Sequence, residues 1–194
     1  MNKTVLFGKE ARDKVLEGVK KIAAAVKVTL GASGKCVLIS NSLHADYELH
    51  QLPIQVTKDG YTVTRNFNLS DPIENVGSEM IKEAAQKTVD MVGDGTTTTT
   101  ILAEAFIRYG IEAIDKGANS QKLKKEIDKA VDYVVEMLKK MAIPVRGDVE
   151  KIRQIATVSA NNDTEIGTLI AEAFEKIGED GIIDIQESKS PLTE

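Results

Sequence analysis

The 194-residue sequence contains no tryptophan, a single cysteine and four prolines, and aromatic residues make up only 4% of it. With so few aromatic side chains, the core must be built from Ala, Val, Ile and Leu, which suits packed helices. Because Cys36 has no partner cysteine, an internal disulfide is excluded and a reducing, cytoplasmic compartment is expected. No apolar run reaches transmembrane length, and the first residues lack the apolar stretch of a signal peptide. We therefore expect a soluble protein.

The net charge is −5, and it is unevenly distributed. Residues 141–194 carry five Lys/Arg and eleven Asp/Glu, a net charge of −6, whereas residues 1–140 carry twenty and nineteen, a net charge of +1. This shift predicts a domain boundary near Pro144, with domains over 1–140 and 141–194. Since there is no basic face to neutralise phosphates, nucleic acid is not expected as a partner, and neither is a membrane.

Apolar residues recur at helical spacing along most of the chain, which predicts a mainly α fold. Asp71 and Pro72 have the order of a helix N-cap and first helical residue, and Glu74 would complete a capping box. The predicted helices cover about Lys9–Lys27, Gln121–Met141, Asp148–Val158 and Asp163–Ile177. Two further helices are predicted, one that opens at Asp71 and one that starts in the threonine run and continues to about Lys116.

Short alternating segments predict a few strands. Ile54–Thr57 and Tyr61–Thr64 alternate on either side of Lys58-Asp59-Gly60, and Asp-Gly between such segments is typical of a β-hairpin. Further strands are predicted at Cys36–Ile39 and Ile182–Ile185, and the polar segment Asn41–Leu52 is expected to be a loop or an extended hairpin tip.

The segment Gly93-Asp94-Gly95, followed by five threonines from Thr96 to Thr100, is the clearest candidate for a binding site. The glycines allow the backbone to approach a ligand closely, and the first amides of the following helix favour a phosphate. Hydroxyls of Thr96, Thr97 and Thr98 can donate to phosphate oxygens, and Asp94 supplies the kind of oxygen that Mg²⁺ prefers. The structural alternative is a helix cap with a threonine-rich first turn.

Several segments, in this order and spacing, resemble the group I chaperonins of the GroEL type. They are Val28-Thr29-Leu30-Gly31, Thr57-Lys58-Asp59-Gly60, Gly93-Asp94-Gly95-Thr96-Thr97-Thr98 and Ser159-Ala160-Asn161, with further matches at Ala11-Arg12 and Leu169–Ala173. Each motif is weak alone, but the ordered set is specific and extends over essentially the whole chain.

The resemblance implies the first stretch of an equatorial, ATP-binding domain over 1–140. It implies the first stretch of an intermediate domain over 141–194, which would end where the apical domain begins. The implied fold is an equatorial-type helical bundle with a small β-hairpin and a small, partial α/β domain. Either the gene product continues past Glu194, or the chain is a fragment.

The resemblance also implies the site residues and their ligands, ATP or ADP with Mg²⁺ and K⁺ as an additional cation. The nucleotide wall would be Thr29, Leu30, Gly31 and Ala32, where the family commonly has proline at the last position. Lys58 would lie near the phosphates, with Asp59 and Asp94 as catalytic carboxylates. Asp94 would be the metal ligand, and Gly95, Thr96, Thr97 and Thr98 would cradle the phosphates. From the residues alone, Thr29-Leu30-Gly31-Ala32 could instead be a helix C-cap, and Lys58-Asp59-Gly60 could be a plain turn.

The segment between Cys36 and Val56 is several residues longer than is usual in the family, which puts the family's standard ring contacts in doubt. It contains His44, Asp46, Glu48 and His50, which would share one face of an extended strand. These four could form a metal site, although a solvated polar loop tip is the favoured interpretation.

The implied function is that of an ATP-dependent chaperone subunit that assists protein folding in a ring homo-oligomer. A co-chaperonin and unfolded proteins would be its partners, the latter through the apical domain. In the family, the equatorial and intermediate domains are each built from two separated stretches of chain. The catalytic carboxylate belongs to the second stretch of the intermediate domain, which does not resemble any part of this sequence, so this chain alone is expected to be a very poor ATPase. The alternatives are a truncated binding or assembly module without turnover and an unrelated nucleotide enzyme such as a kinase. The sequence has no Gly-x-x-x-x-Gly-Lys-Ser/Thr loop to support a kinase.

Overall fold

The computed structural model describes residues 5–31, 33–40, 54–178, 181 and 183. The chain separates into two compact units, Met1–Asp128 and Lys129–Glu194, and the division falls inside a helix. In chain order the elements are α1 (Gly8–Lys27), β1 (Val37–Ser40), β2 (Ile54–Thr57), α2 (Gly60–Asn66), α3 (Pro72–Val92), α4 (Thr96–Asp115), α5 (Ser120–Met141), α6 (Val149–Ser159) and α7 (Thr164–Ile177). The mainly α prediction is confirmed, and the domain boundary after residue 140 remains a prediction.

The core of the first unit lies between α1, α3 and α4. The apolar residues that recur at helical spacing in α1 form this core, since Val19, Ile22 and Val26 are fully buried. Ile81 of α3 and Val63 of α2 complete this cluster. Fully burying each such aliphatic side chain contributes roughly 1.5–3 kcal/mol, so this cluster contributes substantially to the stability of the unit.

Two glycines allow α1 and α3 to pack backbone against backbone. A Cβ atom at Gly18 would lie 1.7 Å from the carbonyl oxygen of Glu74, and one at Gly77 would lie 2.1 Å from the carbonyl oxygen of Val15. Lys14 fixes the same crossing from its edge, because its Nζ lies 2.6 Å from a carboxylate oxygen of Asp71. The first turn of α3 is therefore held firmly against α1.

The start of α3 agrees with the sequence in its cap and differs in one detail. Asp71 Oδ1 accepts hydrogen bonds from the amides of Ile73 (2.9 Å) and Glu74 (3.1 Å), and Pro72 is the first helical residue, as predicted. The Glu74 carboxylate does not complete a capping box. It forms ion pairs with Lys21 and Lys14 of α1 instead, because tertiary cations compete successfully with a local backbone amide.

The predicted hairpin over residues 54–64 is wrong. Ile54–Thr57 pairs antiparallel with β1, from Val37 opposite Thr57 to Ser40 opposite Ile54. Tyr61–Thr64 belongs to helix α2 instead, because Asp59 caps its start and the neighbouring residues Val63 and Thr64 are both buried. Four residues are too few to distinguish the two periodicities, and tertiary burial overrode the strand propensity of the β-branched side chains.

The second unit contains the pair α6 and α7. Asp148 and Asp163 cap the two helices through backbone amides. The turn between the helices is tight, since Asn161 (φ 57°) and Asn162 (φ 67°) both have left-handed backbone conformations, which asparagine tolerates well. The two helices also pack closely at Gly167, where a Cβ atom would lie 2.0 Å from the hydroxyl oxygen of Thr157.

Three sequence predictions fall outside the described residues. They are the loop Asn41–Leu52 with its possible metal ligands His44, Asp46, Glu48 and His50, the strand Ile182–Ile185, and the role of Ala32. In the part of the chain that the structure describes, no helix is both long and apolar enough to cross a bilayer.

Candidate functional site

Thr29 and Thr97, which are far apart in sequence, meet at one point of the structure. Thr29 follows α1, and its hydroxyl donates to the carbonyl oxygen of Val26 at 2.8 Å. The Thr97 hydroxyl oxygen, in the first turn of α4, lies 3.2 Å from the Thr29 hydroxyl oxygen. Since a hydroxyl carries one proton, Thr97 is the donor in this second contact. The end of α1 is thereby joined to the start of α4.

Gly60 brings the segment Lys58-Asp59-Gly60 to the same point. A Cβ atom at Gly60 would lie 2.1 Å from the Thr97 hydroxyl oxygen and 3.5 Å from that of Thr29. No other residue fits here without displacing Thr97, so glycine is required by close approach. The structure therefore brings together the three segments that the sequence analysis selected as a site.

The turn before α4 is open. Gly93 (φ 76°) and Gly95 (φ 84°) have left-handed backbones, and the exposed Asp94 between them accepts a hydrogen bond from the Gly95 amide at 2.6 Å. Helix α4 has no side-chain cap, and the first helical hydrogen bond is donated by Thr99 to Gly95 at 2.9 Å. The amides of Thr96–Thr98 precede that bond, and such amides with the helix dipole favour an anion.

The five threonines have different environments because the helix turns through them. Thr96 and Thr100 are buried, and Thr98 is exposed. The hydroxyl of Thr99 lies 3.0 Å from that of Thr88 on α3, which itself donates to the Ala84 carbonyl oxygen. Alternate threonines thus fasten α4 to its neighbours and leave the exposed side of its first turn polar.

Asp59 is the N-cap of α2. Its Oδ2 accepts from the amide (2.8 Å) and the hydroxyl (2.6 Å) of Thr62, and its Oδ1 accepts from the Tyr61 amide at 3.4 Å. These contacts give Asp59 a structural role, and its catalytic role remains a prediction. Neighbouring Lys58 is exposed.

The wall predicted at residues 29–32 is described as far as Gly31. Gly31 has a left-handed backbone (φ 73°), and the Leu30 side chain is half exposed beside it. The amide of Lys35 donates to the Val28 carbonyl oxygen at 2.7 Å, which closes the turn after α1.

Among the described residues, no group of three or more His, Cys, Asp or Glu side chains is arranged to hold a metal ion. One carboxylate can still hold Mg²⁺ when phosphate oxygens and water complete the coordination, and the exposed Asp94 fits that kind of site.

Sequence reasoning missed two residues beside the site. Glu104 of α4 is buried, and its carboxylate pairs with Lys27 at the end of α1 at 3.0 Å. The available signal was an acidic residue within the apolar pattern of α4, and that pattern does not distinguish the buried Glu104 from the exposed Glu112.

Comparison with known proteins agrees with this architecture. Residues 22–190 match the model of the TCP-1/cpn60 chaperonin family, so the chain belongs to that family. The resemblance drawn from the sequence motifs is confirmed.

The chain is also similar to individual chaperonins. The chain is 47% identical over 192 residues to chaperonin GroEL of Holospora obtusa, and the match covers 99% of this chain and 33% of that protein. In structure it is similar to chaperonin gp146 of the bacteriophage EL, crystallised in the presence of ATP-BeFx. The TM-score is 0.71 at 30% identity, over 87% of this chain and 28% of gp146. A second crystal form of gp146 gives the same TM-score at 29% identity. The chain thus spans about a third of the length of these relatives.

Proposed function

We propose that this chain is the part of an ATP-dependent chaperonin subunit that binds the nucleotide phosphates. The observation that supports this proposal best is the meeting of Thr29, Gly60 and Thr97 at the open start of α4. A site for a phosphate chain needs backbone close to the ligand and unpaired donors, and this point of the fold offers both.

The residues present fit a nucleotide with Mg²⁺. The amides of Thr96–Thr98 and the exposed Thr98 hydroxyl would hold phosphate oxygens, and the Asp94 carboxylate would hold the metal ion. Lys58 would add a point charge, and the turn from Thr29 to Gly31 would form one wall. ATP would supply a phosphoryl group whose transfer needs positioning and charge neutralisation more than covalent chemistry from the protein.

The activity of the whole protein is part of this proposal. By likeness to its relatives, the complete subunit would form a ring homo-oligomer in the cytoplasm and assist the folding of unfolded proteins with a co-chaperonin. ADP as product and K⁺ as an additional cation belong to the same proposal. We expect this chain alone to bind nucleotide but to turn it over very poorly.

The alternative is a chaperonin-like assembly module without turnover. The exposed apolar residues of α5, among them Val134 and Leu138, are compatible with either function, because a helix with such a stripe needs a covering partner. The coding sequence after Glu194 distinguishes them. A continuing reading frame supports the complete subunit, and a native stop codon supports the module.

The proposal is tested by calorimetric titration of the chain with ATP, with and without Mg²⁺. Asp94→Asn removes the charge but leaves an amide oxygen that can still accept from Gly95. Asp90→Asn is the matched control, because Asp90 is an exposed carboxylate in the last turn of α3, where it accepts from Gln86 at 2.7 Å. We expect metal-dependent binding that Asp94→Asn abolishes and Asp90→Asn retains. Equal binding by all three proteins would refute the metal role of Asp94.

A further inference from the structure

Glu104 is a buried carboxylate on α4, and both of its oxygens are engaged. Its side chain is 7% exposed, with Lys27 Nζ lying 3.0 Å from Oε2. On the other side, Arg108 Nε approaches Oε1 to 3.0 Å as an ion pair without hydrogen-bond alignment. A buried charge of this kind is costly unless it is paired, so the protein retains Glu104 only together with its cations.

The two cations differ in what they connect. Arg108 is one turn along α4 from Glu104, and its guanidinium stacks on the Tyr109 ring, 4.3 Å from the centroid, so it stays within one helix. Lys27 is the last residue of α1, and its bond to Glu104 therefore joins two helices. Of the two cations of Glu104, only Lys27 can fix the end of α1 relative to α4.

This contact is adjacent to the candidate nucleotide site. Lys27 precedes Thr29 by two residues, and Glu104 follows Thr97 by seven, which is two helical turns and returns to the same face of α4. The end of α1 is consequently held to α4 at two points about 10 Å apart along the helix. One is the hydroxyl pair Thr29–Thr97, and the other is the ion pair Lys27–Glu104.

We propose that Glu104 is a positioning residue of the nucleotide site, which holds the Thr29–Gly31 wall against the start of α4 through Lys27. This inference rests on the proposed function, because it names a residue that supports the same site. Glu104 itself touches neither the start of α4 nor the wall in any described contact, so its effect is transmitted by the end of α1.

The proposal predicts the opposite sign from simple electrostatics. If Glu104 acted only through its charge, its neutralisation would remove a repulsion on the phosphates and tighten binding. If it acts by positioning, Glu104→Gln releases Lys27, the wall moves, and binding weakens. The direction of the change therefore separates the two mechanisms.

The test is the dissociation constant of the chain for ATP with Mg²⁺, measured for the wild type, Glu104→Gln and Glu112→Gln. Glu112 is the matched control, because it is an exposed carboxylate on the same helix, paired with Lys116 at 2.5 Å. We expect Glu104→Gln to bind about three- to tenfold more weakly and Glu112→Gln to bind as the wild type does. Unchanged or tighter binding by folded Glu104→Gln would overturn the proposal.

A double-mutant cycle with Lys27→Met adds a readout that a merely structural role would not move. Because Glu104 acts through Lys27, the two single losses in affinity should not add in the double variant. Fully additive losses would contradict the mechanism even if each variant binds poorly.

Hydrogen exchange keeps this inference separable from the proposed function. Without nucleotide, Glu104→Gln should raise the exchange rate of amides in residues 29–31 and leave those of α7, in the other unit, unchanged. If the wild type fails to bind ATP, the proposed function fails while exchange still decides the positioning role. Unaltered exchange at residues 29–31 would refute it.

Discussion

The starts of α3 and α4 solve the same structural problem in opposite ways. Each helix begins with amides that have no helical partner. At the start of α3, Asp71 accepts two of these amides and Pro72 lacks one, and cations of α1 surround the turn. At the start of α4, a glycine occupies the cap position, and no side chain among the described residues accepts the following amides.

This difference separates an end built for stability from an end left available to a ligand. A capping side chain and Lys14 complete the first turn of α3, so an anion would meet a carboxylate there. The first turn of α4 combines unpaired donors, an exposed Asp94 and close backbone from two other segments. An uncapped helix end costs stability, and its free amides can bind an anion.

Gly18→Ala should give the largest effect, because it disrupts the packing of α1 against the capped start of α3. The added Cβ would lie 1.7 Å from the carbonyl oxygen of Glu74, in the first turn of α3, and backbone cannot rotate away as a side chain can. We expect the free energy of unfolding to fall by about 1–3 kcal/mol or more. Chemical denaturation monitored by circular dichroism measures this change.

Gly110→Ala is the control for that experiment. Gly110 lies inside α4, where an added Cβ meets nothing within 4 Å, so the substitution should stabilise the helix by about 0.5–1 kcal/mol. If both glycine variants changed stability in the same direction, the close crossing of α1 and α3 would not be the cause.

Gly60→Ala should have an intermediate effect, because it disrupts the contact with Thr97 at the uncapped start of α4. Its Cβ would lie 2.1 Å from the Thr97 hydroxyl oxygen but 3.3 Å from the Thr97 Cβ, so the hydroxyl must move. We expect a loss of about 1 kcal/mol in stability and weaker binding of ATP with Mg²⁺, measured by denaturation and calorimetry.

Thr97→Ala separates the clash from other effects of Gly60→Ala. In the double variant of Gly60→Ala and Thr97→Ala, the clashing hydroxyl is absent, and the remaining contact between the two Cβ atoms needs only a small shift. The stability of the double variant should therefore recover relative to Gly60→Ala. Binding should remain weak, because the contact with Thr29 is lost in both. A double variant no more stable than the single one would argue against the steric explanation.

The same two ends show what the sequence could predict. Asp71 and Pro72 are local signals, and they locate the start of α3 to the residue because the cap needs no distant partner. Tyr61–Thr64 was predicted wrongly as a strand, since its helical state depends on the Asp59 cap and on burial of Val63 and Thr64. Local patterns are reliable where the deciding contacts are local.

The candidate site could be predicted from the sequence only in part. Its motifs could be chosen from the sequence, and the likeness to a family gave their roles. No spacing rule places Thr29, Gly60 and Thr97 within contact of one another, because that depends on how three helices cross. The pairing of Glu104 with Lys27 is equally non-local, so the sequence analysis could not select these two residues.

The smallest effect is expected from Asp71→Asn, and its dependence on pH is informative. The Lys14 ammonium, together with the amides of Glu74 and Ile73, lowers the pKa of Asp71 from 3.8 to about 2. A carboxylate whose pKa is lower in the folded state stabilises the fold above its ordinary pKa, and this contribution is lost as the pH falls toward the folded value. Asparagine caps a helix about as well as aspartate, so the variant removes mainly the charge.

The wild type should therefore be slightly more stable than Asp71→Asn above about pH 4, and the difference should shrink to nothing between about pH 4 and pH 2. Thermal melts of both proteins across this range measure the difference, which cancels the titration of other carboxylates. In a Lys14→Met background this difference should be smaller above about pH 4, because the ammonium is the largest cause of the shift. A difference that did not vary with pH would mean that the cap alone, without its charge, closes the start of α3.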